Sequence, residues 1–157
     1  MRETASNVAL LAPVPREHLE DGRLVCETEG RVAIGSRAWE VFRELDHLRH
    51  ALPVDVYIYP SHSDPPSLLE VSWQAVYIGH VESDGGAHPH GMQFRPPSTA
   101  KYANDNEGYW AIFWEVTNLR EVSQSARIRI ANFTGYGKPK AYKRAFIPEG
   151  PLLVEHP

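Results

Sequence analysis

Residues 109–116 read YWAIFWEV, and this stretch decides the fold class. The side chains of Trp110, Ile112, Trp114 and Val116 recur at every second position, so in an extended chain they would face one way. Nearly all of the residues in the stretch are aromatic or β-branched, and these types are enriched in strands. The stretch therefore predicts a β-strand with one strongly apolar face.

Other segments on both sides of it also predict strands. Residues 54–59 alternate β-forming side chains, residues 126–131 alternate isoleucines with arginines, and residues 8–12 form a short apolar run typical of a buried strand. In residues 71–81 the apolar side chains change face partway along. That change predicts a β-bulge or a strand buried on both sides.

Helices are fewer. Apolar residues at helical spacing predict a helix over residues 37–50 with Ser36 as its N-cap and Trp39 in the core. Pro15 suits the first position of a short helix that ends near Gly22, and residues 24–34 are expected to be extended. Because strands outnumber helices and their connections are irregular, the sequence predicts an α+β fold, a small β-barrel with flanking helices.

One domain is expected over residues 1–157, with residues 1–7 loose and residues 135–157 an extended tail packed on the barrel. Leu, Ile, Val and Phe make up about 24% of the chain, which exceeds the roughly 20% below which chains are usually disordered. No apolar run is long enough for a membrane span, so no membrane partner is expected. A single cysteine, Cys26, suits a reducing compartment and predicts a cytoplasmic protein.

Charge is unevenly distributed. The net charge is −4, yet residues 124–157 carry six basic and two acidic side chains. A protein that coats DNA would be basic overall, so this class is excluded, although a local anion-binding surface is not.

The familiar catalytic motifs are missing from the sequence. It contains no phosphate-binding GxxxxGK[ST], no GxGxxG after a strand, no GxSxG and no HExxH. Acidic neighbours are expected to raise the pKa of Cys26 and leave it unreactive. His80, His88 and His90 could ligate a metal, but a solvated or ligand-contacting loop is favoured, so neither a metal nor a cofactor is predicted.

The most distinctive stretch is residues 132–144, where basic and aromatic side chains alternate around two glycines. Such a combination suits the phosphates and unstacked bases of a nucleic acid. The predicted contacts are Phe133, Tyr136, Lys138, Lys140, Lys143 and Arg144, whose basic members should form one patch beside a pocket. The alternative is a solvated basic loop. Trp110 and Trp114 are expected to line the barrel interior or, alternatively, to form an aromatic wall for a base.

The order of these segments resembles the PUA-like barrel superfamily, particularly its EVE and ASCH domains. GSRAW at residues 35–39 opens a helix, and VDVYIYPS at 54–61, AVYIGHV at 75–81 and YWAIFWEV at 109–116 follow in the same order. The resemblance spans about residues 30–120. An ASCH-type motif has only a faint echo at residues 22–28, without its lysine, so the resemblance does not imply that family's catalytic activity.

The resemblance implies a reader of RNA or of a modified base, held in an aromatic pocket beside the barrel. The positions matching its motifs are Gly35, Ser36, Arg37, Tyr59, Ser61 and Trp110, and the chemistry of the neighbouring residues adds His62 and Trp114.

We therefore expect a non-enzymatic nucleic-acid or modified-base binding domain, with RNA and DNA both open. One alternative is a small nucleoside- or amide-directed hydrolase of ASCH type using Glu27, Glu29, His62 and His88. Another is a protein-interaction module.

Overall fold

The computed structural model describes residues 3–61, 70–137 and 150–157. The fold is α+β, as predicted, with two α-helices and a six-stranded mixed sheet. In chain order the elements are β1 (Val8–Pro15), α1 (Arg16–Glu29), β2 (Val32–Ser36), α2 (Trp39–Leu48), β3 (Val54–Ser61), β4 (Glu70–Val71), β5 (Trp73–Glu82), a 3₁₀ turn (Pro97–Lys101), β6 (Ile112–Glu121), a 3₁₀ turn (Gln124–Ala126), β7 (Ile128–Arg129), a 3₁₀ turn (Ile130–Asn132) and β8 (Leu152–Glu155).

The main sheet has the strand order β2-β6-β5-β3-β1-β8. Strands β1 and β3 are parallel, and every other neighbouring pair is antiparallel. Strands β4 and β7 form a separate two-stranded sheet. The described strands form an open sheet with β2 and β8 at its edges, where the sequence had predicted closure into a barrel.

The register of β5 shifts twice against β6, between Gln74 and Val76 and between Tyr77 and Gly79. The predicted bulge is therefore confirmed. Gly79 lies within the second shift with φ of +141°, a conformation that side-chain-bearing residues rarely adopt. Up to Tyr77, the odd-numbered residues of β5 therefore lie on the same side of the sheet as Trp114. From His80 onward, the even-numbered residues lie on that side.

The main hydrophobic core lies between one face of the sheet and the two helices. Trp114 is 1% exposed there and stacks on Phe42 of α2 with ring centroids 5.6 Å apart. Such a pair adds about 1 kcal/mol to the free energy of burial. Two smaller clusters cover the opposite face: one contains Tyr59 and Phe133, and the other contains Phe94 and Phe113.

Helix α1 differs most from the prediction. It passes through Gly22 and ends at Glu29, so residues 24–29 are helical and not extended. Gly22 costs about 1 kcal/mol in a helix interior, but Leu19 and Val25 on either side of it are buried against the sheet and offset that cost. The helix stops at Gly30, whose φ of 85° forms the left-handed C-cap.

Helix α2 lies within the predicted range but is shorter. The Ser36 hydroxyl accepts a hydrogen bond from the Ala38 amide at 3.0 Å, just before the helix, although Ala38 occupies the N-cap position. Phe42 and Leu45 are buried. The prediction that Trp39 belongs to the core is wrong, because its side chain is 44% exposed at the first helical position.

Both chain ends contribute to the sheet region. Strand β1 continues through Pro13 to Pro15, beyond the predicted end at residue 12, because its pairing with β8 covers only residues 8–11 and leaves the prolines with a single neighbouring strand. Strand β8 extends the sheet beside β1, so this part of the tail is a paired strand. The predicted strand at 126–131 is reduced to two residues between 3₁₀ turns. No helix within the described residues is long and apolar enough to cross a membrane.

Candidate functional site

A cleft of about 320 Å³ opens where β5 ends and where β6 and α2 begin. It combines an exposed indole ring, three polar side chains and one cation. Its lining residues are Trp39, Arg43, His80, Glu82, Ser83, Ala111 and Ile112.

The bulge in β5 places the polar side chains of the cleft. His80 pairs with Trp114 and Glu82 pairs with Ile112 in the register of β5 against β6. Since alternate residues of a strand share a face, His80 and Glu82 both point to the side occupied by Trp114. Without the extra residue near Gly79, the same two side chains would point to the opposite face of the sheet.

The aromatic wall of the cleft is Trp39. The guanidinium of Arg43, one helical turn later, lies 5.5 Å from its ring centroid, within the range of a cation–π contact. A second pair of this kind is formed by Arg37 and Tyr109, at 5.1 Å. Tyr109 is 44% exposed and precedes the cleft residue Ala111 by two positions.

A cluster of polar side chains around Asp46 contacts Nδ1 of His80. Asp46 contacts His80 Nδ1 at 2.8 Å, accepts a hydrogen bond from the Tyr77 hydroxyl at 2.8 Å and pairs with Arg49 at 2.8 Å. Burial, together with the negative charge of Asp46, raises the pKa of Tyr77, so its hydroxyl keeps its proton. The imidazole is thereby fixed in orientation at the cleft wall.

Ser83 is also held by the loop that follows β5. Its hydroxyl donates to the Trp110 carbonyl at 2.7 Å, and its amide donates to the Ala111 carbonyl at 3.0 Å. These bonds connect the end of β5 to the residues just before β6, and so fix the two sides of the cleft relative to each other.

Three of the sequence-predicted site residues lie near this cleft without lining it. Ser36 is buried next to α2, and its carbonyl accepts the Ala111 amide at 3.0 Å. Arg37 is exposed. Trp110 lies flat on Gly35, where an added Cβ would come within 2.5 Å of its ring, and its indole N–H donates to Asp105 at 3.1 Å.

The predicted aromatic wall of Trp110 and Trp114 is not formed. Trp114 belongs to the main core, whereas Trp110 packs against the cluster of Phe94 and Phe113 on the other face. The reason is that β6 begins only at Ile112, so the strand alternation does not extend back to Trp110. Trp114 has no surface to offer a ligand.

Tyr59 and Ser61 lie elsewhere on β3. Tyr59 is 3% exposed in the cluster that also contains Phe133, and Ser61 is half-buried at the strand end. Phe133 is buried against Tyr57, with ring centroids 5.4 Å apart. These aromatic residues therefore stabilise this face of the sheet and are not open to a ligand.

The basic segment is only partly described. Tyr136 is half-buried and packs on the main core, and its amide donates to the Leu153 carbonyl at 3.0 Å. His62 and the four basic positions fall outside the described residues: Lys138, Lys140, Lys143 and Arg144. The predicted contiguous basic patch stays a prediction.

A second polar cluster joins α1 to the loop of residues 83–111. Ser98 donates its hydroxyl hydrogen to Asp21 at 2.9 Å and its amide to the same carboxylate at 2.6 Å. Since a hydroxyl has one hydrogen, the 2.6 Å contact between Ser98 and His18 Nδ1 requires the histidine to donate. On its other side, His18 Nε2 lies 3.6 Å from Asp105. A serine bound in this way is a structural cross-link and not a nucleophile activated by histidine.

Three of the four residues proposed for hydrolysis are described, and each has a different partner. Glu27 pairs with Arg23 on the surface, Glu29 accepts from Gln93, and the buried His88 bonds to Glu115 at 2.8 Å. Among the described residues, no three His, Cys, Asp or Glu side chains are grouped as metal ligands.

Cys26 is partly buried in α1. Burial, with a smaller contribution from Glu27, raises the pKa of its thiol. The predicted direction of the shift is therefore confirmed, although burial is its main cause. A thiol whose pKa is raised stays protonated and is a weak nucleophile.

Sequence reasoning did not find Arg43, Glu82 and Ser83 of the cleft or the neighbouring Asp46, and it considered His80 only as a possible metal ligand. Two signals could have found part of the cleft. Trp39 and Arg43 are four residues apart, which places them on one side of a helix, and His80 and Glu82 alternate along a strand. The position of the bulge, which decides the face, had no such signal. Comparison of the chain with protein-family models, with curated proteins and with solved structures found no match.

Proposed function

We propose that this chain is a non-enzymatic binding protein for single-stranded RNA or DNA, and that it holds one unstacked or modified base in the cleft. The observation that carries the proposal is the exposed ring of Trp39 at the wall of a cleft that also presents hydrogen-bonding groups. A large aromatic side chain left outside the core offers its π-face to a flat ligand.

The size and chemistry of the cleft support a ligand no larger than a nucleoside. Sites for small molecules usually measure roughly 300–1,000 Å³ and combine apolar walls with a few polar groups. The cleft is at the lower end of that range. Trp39, Ala111 and Ile112 supply the apolar surface, and the remaining residues supply the polar groups.

Arginines next to the cleft suit the phosphates that flank a bound base. Arg43 lines the cleft, and Arg37 is exposed beside Tyr109. Phosphate contacts position a nucleic acid, while contacts to base edges identify it. The basic residues of 138–144 are proposed to extend this surface, in agreement with the charge pattern of the sequence.

The proposal also includes the fold family and the cellular location expected from the sequence. One expectation is that the six-stranded sheet corresponds to a PUA-like barrel of EVE or ASCH type, supported by the order of the segments that resemble those domains. The other is a cytoplasmic location, supported by the single Cys26. For the hydrolase alternative, the separate engagement of its candidate residues offers no support.

Binding to short fluorescent single-stranded RNA and DNA tests the proposal, with the complementary duplexes alongside. Trp39→Ala is expected to weaken binding about tenfold, because stacking of one base on an aromatic side chain contributes about 1–3 kcal/mol. The free energy of unfolding should change little, since Trp39 is 44% exposed and lies outside the buried core clusters.

A matched control is Tyr102→Ala, which removes an equally exposed aromatic ring beside Glu17 of α1. Its affinity should equal that of the unaltered protein. Absence of binding to every oligonucleotide at low salt would overturn the proposal, because phosphate contacts strengthen as salt falls.

A further inference from the structure

We infer that the cleft selects a base whose edge donates hydrogen bonds, and that guanine is the base it fits. This inference rests on the proposed function and deepens it by naming the base. It follows from the direction of the hydrogen bonds already made by the polar residues of the cleft.

Ser83 can only accept in the cleft. Its single hydroxyl hydrogen is donated to the Trp110 carbonyl at 2.7 Å. A hydroxyl oxygen keeps lone pairs when its hydrogen is used. A ligand that reaches Ser83 must therefore supply the hydrogen.

His80 is also set up as an acceptor. Tyr77 donates its hydrogen to Asp46, so its oxygen and the Asp46 carboxylate both face His80 Nδ1 as acceptors, at 3.1 Å and 2.8 Å. The hydrogen of the neutral imidazole therefore lies on Nδ1. Nε2 at the opposite side of the ring keeps its lone pair, and it makes no hydrogen bond with any described residue.

Glu82 adds two acceptor oxygens. Its side chain is exposed, and within the described part of the chain it has neither a cation nor a hydrogen-bond donor as partner. An ionised carboxylate accepts hydrogen bonds only. The three polar residues at the end of β5 thus all present acceptors to one ligand.

Guanine matches this arrangement better than the other bases. Its N1–H and its 2-amino group are adjacent donors on one edge, and a carboxylate with two oxygens can accept from both. Cytosine and adenine carry one amino group next to an acceptor nitrogen, while uracil presents one N–H between two carbonyls. These three bases would place an acceptor against Glu82, His80 or Ser83, which is unfavourable.

Competition between short oligouridines that differ in one central nucleotide tests the inference. The central nucleotide is guanosine, inosine, adenosine, cytidine or uridine. Inosine differs from guanosine only by the missing 2-amino group. The guanosine oligonucleotide is expected to bind about tenfold more tightly than the others, because one bidentate contact discriminates by about that factor or more.

Glu82→Gln should remove most of the difference between guanosine and inosine, since an amide accepts through one atom only. Its control is Asp84→Asn, which changes an exposed carboxylate two positions away and outside the cleft. Thermal unfolding of both variants checks that the fold is kept.

The outcomes separate the two proposals. Equal affinity for all five oligonucleotides, or a preference for uridine, would overturn the guanine assignment while leaving nucleic-acid binding in place. Retention of the guanosine preference in Glu82→Gln would overturn the role of Glu82. Failure of all five to bind would overturn the proposed function itself.

Discussion

His80 and His18 each lie beside an aspartate, and the two rings differ in what surrounds their second nitrogen. His80 contacts Asp46 through Nδ1 and lines an open cleft, where no described residue hydrogen-bonds its Nε2. His18 contacts Ser98 through Nδ1 and has Asp105 3.6 Å from Nε2. The first ring has a protein partner at one nitrogen only, whereas the second has protein groups next to both.

The difference shows how similar residues serve binding in one place and stability in another. Around His18, the neighbouring polar groups contact one another: Asp105 accepts the Trp110 indole N–H and lies 3.6 Å from Arg95. These contacts connect α1 to the 83–111 loop. At the cleft, the acceptors of His80, Glu82 and Ser83 remain available to a ligand.

Among substitutions around His18, Arg95→Ala is expected to lower the stability of the fold most. Arg95 is 2% exposed, and its guanidinium donates to Asn106, to the Ala33 carbonyl and to the Asp105 carbonyl. Burial lowers its pKa to about 10, so it stays charged at neutral pH. Removing it takes this donor from the Asn106 side-chain oxygen and from the two carbonyls, and it takes the nearby cation from the Asp105 carboxylate. The free energy of unfolding should fall by about 3 kcal/mol.

Urea unfolding measures this change, with Arg23→Ala as the control. Arg23 pairs with Glu27 on the surface, where such pairs contribute less than about 1 kcal/mol. Equal stability of the two variants would mean that the buried arginine does not hold the loop.

A smaller effect is expected from Ser98→Ala. The substitution deprives Asp21 of a donor and His18 of an acceptor, and should lower the free energy of unfolding by about 1–2 kcal/mol. Oligonucleotide affinity should stay unchanged, since Ser98 does not line the cleft. The exposed Ser125→Ala is the control for stability. A loss of affinity without loss of stability in Ser98→Ala would mean that the ligand binds at the His18–Ser98 cluster and not in the cleft.

The smallest effect is a pH dependence. Burial lowers the pKa of His18 below its ordinary value of about 6.5, against the opposing charge of Asp105. The unfolded chain therefore binds a proton before the folded one as pH falls. Stability decreases through about pH 6.5 and levels off below the lower, folded pKa.

Urea unfolding at about pH 8 and about pH 5 tests this in His18→Gln. The variant should lose less stability on acidification than the unaltered protein does. His47→Gln, at an exposed position of α2, should lose as much as the unaltered protein. An unchanged pH dependence in His18→Gln would show that His18 is protonated equally in the folded and unfolded states.

Much of the fold could be predicted because the spacing of apolar residues within each segment indicates its secondary structure. The alternation in residues 54–59, the helical spacing around Phe42 and Leu45, and the change of face in 71–81 each correspond to an element or a bulge of the structure. Predictions at segment ends were poorer. Gly22 and Pro13 suggested breaks, yet burial of neighbouring side chains and a missing second strand partner allow α1 and β1 to continue.

Sequence patterns alone establish the α+β class, the strand-forming segments and the types of side chain available for binding. Which of these side chains meet depends on how the chain packs. Trp110 and Trp114 are separated by the late start of β6, whereas Trp39 and Glu82, 43 positions apart, line one cleft. The physical reason is that a strand's alternation fixes faces only within one unbroken register, while the bulge at Gly79 and the packing of α2 depend on contacts between distant segments.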